Sequence, residues 1–430
     1  MTYDRRCEKI HTFFCYAFKL WLPQLFLYYP NPYLYGILML YFFDEHLMRQ
    51  MKGLNDMTVK NKPPFRYDIV GSFLRPAALK EKRDEFAAGK ITADELKAAE
   101  DAAIADLVAK EKEVGLHAVT DGEFRRRYWH LDFLTELQGV TEISAENWSV
   151  HFKGAQPKAR TARITGLVDF GSHPFLDHFK ALQKIACKDT LVKMTIPSPS
   201  MLHLICCVRE KHYEPIPQYQ DQNRLFHDIA IAYQHAIKAF YAAGCRYLQL
   251  DDTSWGEFCD ADKRKAYAER GFDLDELAKH YVAMINRALE AKPDDMTITM
   301  HICRGNFRST WFSSGGYEPI AETLFGHCNV DGFFLEYDSD RAGGFEPLRH
   351  IRDQQVVLGL VTSKTPELEK EDDIIARIHE AEKYVPLDQL CLSPQCGFSS
   401  TEEGNLLTEK EQWAKLRLIK DIAEKVWKDA

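Results

Sequence analysis

Downstream of residue 66 the chain alternates short apolar runs with longer amphipathic stretches, and this alternation is its main structural signal. The runs keep β-branched and aromatic residues at consecutive positions, as strands buried on both faces do. Strands are predicted from Tyr67 to Phe73, His117 to Thr120, Leu191 to Ile196, Tyr247 to Leu250, Met296 to Ile302, Gly332 to Glu336, Gln355 to Val361 and Gln389 to Ser393. The intervening stretches predict helices over residues 77–114, 221–243, 373–384 and 409–427; Thr92-Ala93-Asp94-Glu95 reads as a capping box and Gly244 as a stop. Residues 148–166, with Val150-His151-Phe152 and Ala162-Arg163-Ile164-Thr165, predict a hairpin inserted after the second strand.

Eight strands alternating with helices predict an α/β fold, a (β/α)8 TIM barrel, occupying residues 57–430. A doubly wound open sheet is the competing arrangement, but no Gly-x-Gly-x-x-Gly follows the first strand. Polar residues fall in a telling place. Ser72, Asp121, Glu123, Asp251, His301, Cys303, Glu336, Lys364 and Cys396 all lie at or just past the C-terminal ends of predicted strands, where such a barrel keeps its active site.

That position gives chemical meaning to His301-Ile302-Cys303. Side chains two apart in a strand share a face, so an imidazole and a thiol point together, half of a tetrahedral zinc site. Glu336 and Cys396, each at the end of a later apolar run, supply the other half. The competing reading is a buried structural cysteine beside a core histidine. Cys187, Cys206, Cys207, Cys245 and Cys391 are expected to pack as small apolar residues.

Composition narrows the rest. In 430 residues the net charge is -9, which argues against a nucleic-acid surface. The 11 cysteines are scattered and read as thiols in a reducing, cytoplasmic setting. Residues 1–56 differ from the remainder of the chain: they are aromatic, apolar and interrupted by Pro23, Pro30 and Pro32. The expectation is a leader ahead of a working start at Met51 or Met57, with a secretory signal and a membrane-surface anchor as alternatives. No membrane partner is expected for the barrel.

The motifs together resemble the C-terminal catalytic barrel of cobalamin-independent methionine synthases, and more closely the short stand-alone proteins related to it. His301-Ile302-Cys303 resembles that family's His-x-Cys zinc pair, Phe334-Leu335-Glu336 its zinc glutamate, and Pro394-Gln395-Cys396-Gly397 its Pro-Asp-Cys-Gly. Ile69-Val70-Gly71-Ser72-Phe73 is similar to the loop that holds the homocysteine carboxylate. Gly122-Glu123 and Leu248-Gln249-Leu250-Asp251-Asp252 are similar to the acidic segments that hold the amino acid. The resemblance covers roughly residues 66–430 and implies zinc, with Ser72, Glu123 and Asp251 binding homocysteine and Asp251 serving in catalysis.

Departures fall on the methyl-donor side. His203 stands where the family has an indole, and Lys364 where it has a proton-donating histidine; Lys364 is expected to act as acid or as an anchor for an anionic donor. The implied activity is zinc-dependent methyl transfer to homocysteine, with small molecules as the only partners. Alkyl transfer to another small thiol, or a non-catalytic zinc-binding role, are the alternatives. Methyl donor and oligomeric state are left open by the sequence.

Overall fold

In a computed structural model, residues 62–144, 152, 160–188 and 190–430 are described, and residues 1–56 lie outside them. The strands are β1 (Ala118–Val119), β2 (Gln138–Ser144), β3 (Arg160–Asp169), β4 (Leu191–Pro197), β5 (Tyr247–Asp252), β6 (Thr297–Ile302), β7 (Gly332–Glu336), β8 (Gln355–Val361) and β9 (Leu390–Pro394). Seven of them form one sheet in the order β1-β4-β5-β6-β7-β8-β9, with every pairing parallel.

The predicted first strand is the exception. Residues 67–72 form no regular ladder; they touch both sheet edges through single parallel bridges, Tyr67 with Leu392 and Ser72 with Gly122. The bridges carry hydrogen bonds from Asp68 N to Leu392 O (3.0 Å) and from Phe73 N to Gly122 O (3.1 Å). The segment therefore takes the eighth place in the cylinder. Contacts across the interior agree: Lys193 on β4 lies over the Phe334 ring of β7 at 4.1 Å, and Gln249 on β5 donates to Val70 O at 2.7 Å.

The interior is apolar in part and polar in part. Val70, Phe334, Val357 and Cys391 form one packed group. Beside it Lys193 donates to Asp68 (3.2 Å), which also accepts from the Tyr247 hydroxyl (2.8 Å). A lysine and an aspartate buried this deeply are tolerated because each meets the other and further partners.

The helices form where the pattern places them. Thr92 makes both halves of a capping box at the start of Ala93–Val114; Gln222–Ala242 is capped by Asp221, and Glu371–Ala381 and Glu409–Val426 come later in the chain. The inserted hairpin differs from expectation: its first strand is β2, upstream of Val150, paired antiparallel with β3. Val150 and His151 lie outside the described residues. Among the described residues no helix is long and apolar enough to cross a membrane.

One helix side chain anchors the mouth of the barrel from behind. Glu111, fully buried, accepts from Thr120 N (3.1 Å), while the Thr120 hydroxyl donates to Gly71 O (2.7 Å) and accepts from Gly122 N (3.1 Å). Burial raises the Glu111 carboxyl well above its usual range, against the pull of the Thr120 bonds. A carboxyl whose folded-state pKa is raised binds more protons folded than unfolded, so its stability contribution falls as pH rises above about 4.5 toward the folded pKa. Glu111→Gln, a mimic of the protonated acid, is expected to remove that dependence. Melting curves of parent and variant from pH 5 to 9 check this: the parent should lose stability relative to E111Q as pH rises, and parallel curves would contradict it.

Candidate metal centre and adjoining pocket

Parallel strands deliver the four expected ligands to one point. β6 carries His301 and leads into Cys303, β7 ends on Glu336, and Cys396 follows β9 within two residues of its last, Pro394. One ligand atom from each of the four side chains lies within 4.8 Å of all the others, and all four residues are buried. The sulfurs of Cys303 and Cys396 are 3.6 Å apart. Two sulfurs held about 2.3 Å from one zinc at the tetrahedral angle would stand about 3.8 Å apart.

The donors have the chemistry a soft divalent ion requires. Among the described residues neither ring nitrogen of His301 has a nitrogen or oxygen partner, although the residue is buried; its polar neighbour is the Cys396 sulfur. The S–H of Cys303 holds Cys396 well below the ordinary thiol range despite burial, and Cys303 itself is raised by the same contact. Gly305 N donates to the Cys303 sulfur at 3.3 Å. Glu336 Oε1 accepts from Arg304 N and Oε2 from Arg341, both at 3.1 Å. The residues present therefore fit a zinc ion.

The acidic residues lie next to this group. Asp251 pairs in register with His301 on the neighbouring strand and accepts from Gln249 Nε2 at 2.7 Å. Burial pushes its pKa up to about 7, His301 opposing and Glu123 adding. It is not a helix cap: the helix Ser254–Phe258 starts after Thr253, and the carboxylate that meets its first N–H is that of Asp252, which accepts from Ser254 N at 2.6 Å. Glu123 is no surface ion pair either. It is buried with Arg126 at 3.2 Å and Thr195 at 2.9 Å, burial raises its carboxyl, and its Oε2 has no partner among the described residues.

Glu123 holds a left-handed backbone, φ 61°, which costs a non-glycine residue about 1 kcal/mol or more. Asp121 accepts from its N–H (2.8 Å), and Arg75 donates to its carbonyl (2.7 Å) and to Ser399 Oγ (2.6 Å). Arg75 thus ties the Glu123 loop to the segment just after Cys396. Ser72 joins them: its hydroxyl accepts from Ser399 N at 3.2 Å, and a Cβ on Gly397 would stand 1.9 Å from it. Only glycine lets the Cys396 loop approach so closely.

Lys364 is buried and not a solvated loop residue; its ammonium donates to Asn306 Oδ1 (3.0 Å) and Gly305 O (3.4 Å). Asn306 in turn donates to Gly397 O at 2.7 Å, bridging the loops that carry the two cysteines. His203 is enclosed by Phe226 and Tyr281, with Nδ1 3.0 Å from the tyrosine hydroxyl, and burial pushes its pKa down to about 3. Cys206, Cys207, Cys245 and Cys391 are buried as expected; Cys187 is exposed and does not pack.

Sequence reasoning did not find Arg75, Arg126, Asn306 or Arg341. Buried arginines look like surface residues in a single sequence, and only Glu123-Phe124-Arg125-Arg126, two opposite charges three apart beside a strand end, carried a hint.

The comparisons agree with this geometry. The family model of the cobalamin-independent synthase catalytic domain matches residues 66–425. The protein YxjH of Bacillus subtilis (strain 168), described as uncharacterised, is 54% identical over 372 residues, 86% of this chain and 96% of that protein. A candidate vitamin B12-independent methionine synthase from Listeria monocytogenes has a solved structure that is 45% identical, with a TM-score of 0.68, covering 85% of this chain and 98% of that one. A B12-independent methionine synthase from Shewanella sp. W3-18-1, solved with selenomethionine, shares the fold at 21% identity and a TM-score of 0.63, over 84% and 97% of the two chains. A match along almost the whole barrel, with a His-Cys-Glu-Cys cluster at its open end, establishes that this chain belongs to the cobalamin-independent methionine synthase family and carries its catalytic domain.

Proposed function

We propose that the protein is a zinc-dependent methyltransferase that methylates the thiol of homocysteine to give methionine, in a reducing, cytoplasmic setting. The observation that carries this reading is the convergence of His301, Cys303, Glu336 and Cys396 within 4.8 Å of one another, beside two buried carboxylates. Zinc held by these four would supply Lewis acidity that keeps an incoming thiol deprotonated at neutral pH.

The remaining chemistry belongs to the chain. Asp251 and Glu123 take the substrate ammonium: the partnerless Oε2 of Glu123 and the carboxylate of Asp251 are buried acceptors that a cationic group would satisfy. Ser72 and the backbone around it take the carboxylate. With both ends of the amino acid held, the sulfur is oriented toward the methyl donor, and a bimolecular encounter becomes a positioned one. The sulfur lone pair forms the S–CH3 bond as the donor–CH3 bond breaks, and that bond's electron pair leaves with the donor. Lys364, just after β8 and held by Gly305 O and Asn306 Oδ1 on the loop that follows Cys303, gives that leaving group a proton or holds its negative charge.

A donor screen tests the proposal. Zinc-loaded protein is incubated with homocysteine and, in turn, a methylated folate, methylcobalamin and small methyl-sulfonium compounds, with methionine as the readout. The expected result is methionine with at least one donor. Methylation of other thiols but not of homocysteine would replace the acceptor, and zinc-loaded protein that ignores homocysteine at millimolar concentration would remove the catalytic reading.

A further inference from the structure

Among the described residues, Glu336 alone of the four metal-binding candidates has a cationic side chain within hydrogen-bond distance. Arg341 Nη2 lies 3.1 Å from Glu336 Oε2, 2.8 Å from Asp338 Oδ1 and 3.0 Å from Gln395 Oε1. Its guanidinium carbon stands 5.0 Å from the centre of the Trp311 ring, and its side chain is only 8% exposed. Gln395 is itself fixed, donating to Ser363 Oγ at 2.8 Å, and it immediately precedes Cys396. The guanidinium is therefore set in place before any substrate arrives.

We propose that Arg341 is a positioning residue that makes Glu336 a displaceable ligand. The inference rests on the metal reading above and adds the group that receives the carboxylate. Were zinc held by these four residues, a substrate thiol joining them would displace one carboxylate oxygen, its sulfur would enter as the thiolate, and the thiol proton would pass to solvent. A carboxylate released into a buried site without a partner would be strongly disfavoured. Arg341 removes that obstacle, and it does so selectively: the sulfurs and the imidazole have no such alternative partner.

The test separates this role from simple structural support. Arg341→Met and Arg341→Lys are prepared in parallel with the parent, and each is loaded with zinc or with cobalt(II). Zinc content is measured after dialysis, zinc release to a chelator is timed, and L-homocysteine and 2-mercaptoethanol are titrated against the cobalt absorption. R341M is expected to keep its zinc, to release it more slowly, and to bind both thiols about 10- to 100-fold more weakly, with R341K between it and the parent. In a Glu336→Gln background the R341M change should have no further effect on thiol binding. Parallel loss of zinc and thiol affinity, or unchanged thiol affinity, overturns the proposal. If the parent binds neither thiol, the proposed function fails, and Arg341 is judged on release alone: equal or faster release from R341M than from the parent overturns its role.

Discussion

Replacing Cys396 by serine is expected to strip the purified protein of zinc and to abolish methyl transfer, the largest effect of any single substitution here. Cys396 is buried, its sulfur lies 3.6 Å from that of Cys303, and that contact together with His301 favours its thiolate. A serine hydroxyl stays protonated at neutral pH and offers a hard, weak oxygen donor to a soft ion. With three good ligands left, bound zinc should fall from about one per chain to under about a tenth after dialysis, and turnover by about a thousandfold or more. Cys303→Ser should behave alike. Cys187→Ser, which alters an exposed thiol, should leave the metal content unchanged. Elemental analysis with circular dichroism checks these outcomes together. Equal zinc in C396S and parent would refute the site, whereas a loss of zinc with an intact spectrum would locate the effect in the ligand set and not in the fold.

The cylinder and its ligands are legible in the sequence for one physical reason. Strands buried on both faces read as unbroken apolar runs, so their C-terminal ends can be located, and a polar residue at such an end stands out. His301, Cys303, Glu336 and Asp251 stand out in this way. The first strand reads as regular because Tyr67-Asp68-Ile69-Val70 has the right residue types, while its hydrogen bonding depends on edges contributed by Leu392 and Gly122, more than 300 and about 50 residues away. The hairpin is misplaced by the sequence pattern because its first strand, Gln138–Ser144, is mixed in character and only its pairing with Arg160–Asp169 makes it a strand. Arginines are invisible to periodicity for a related reason. Arg75 and Arg126 donate to carbonyls of Glu123 and Thr195 brought in from other parts of the chain, which no local window contains, whereas Arg341 meets Glu336 within five residues and only Gln395 comes to it from afar.

Asp251→Asn provides the sharpest separation between holding the substrate and holding the metal. Asparagine has nearly the same shape and can keep the bond from Gln249, but it removes the negative charge that sits beside His301 in the pocket. Asp251 is not among the four clustered ligands, so D251N is expected to retain its zinc. Homocysteine should lose a charge-assisted hydrogen bond worth about 2 to 3 kcal/mol, weakening its binding about 30- to 150-fold. A thiol without an ammonium group, such as 3-mercaptopropionate, never makes that bond, and should bind parent and variant within about twofold of each other. Glu123→Gln should repeat the pattern, and the double variant should fall short of the product of the two single effects, because both acids face one cation. Titration of the two thiols against zinc-loaded parent and variants supplies the measurement. Should D251N weaken both thiols equally, the carboxylate acts on the metal side through His301; should neither change, the ammonium is held elsewhere and the homocysteine orientation proposed for this pocket is wrong.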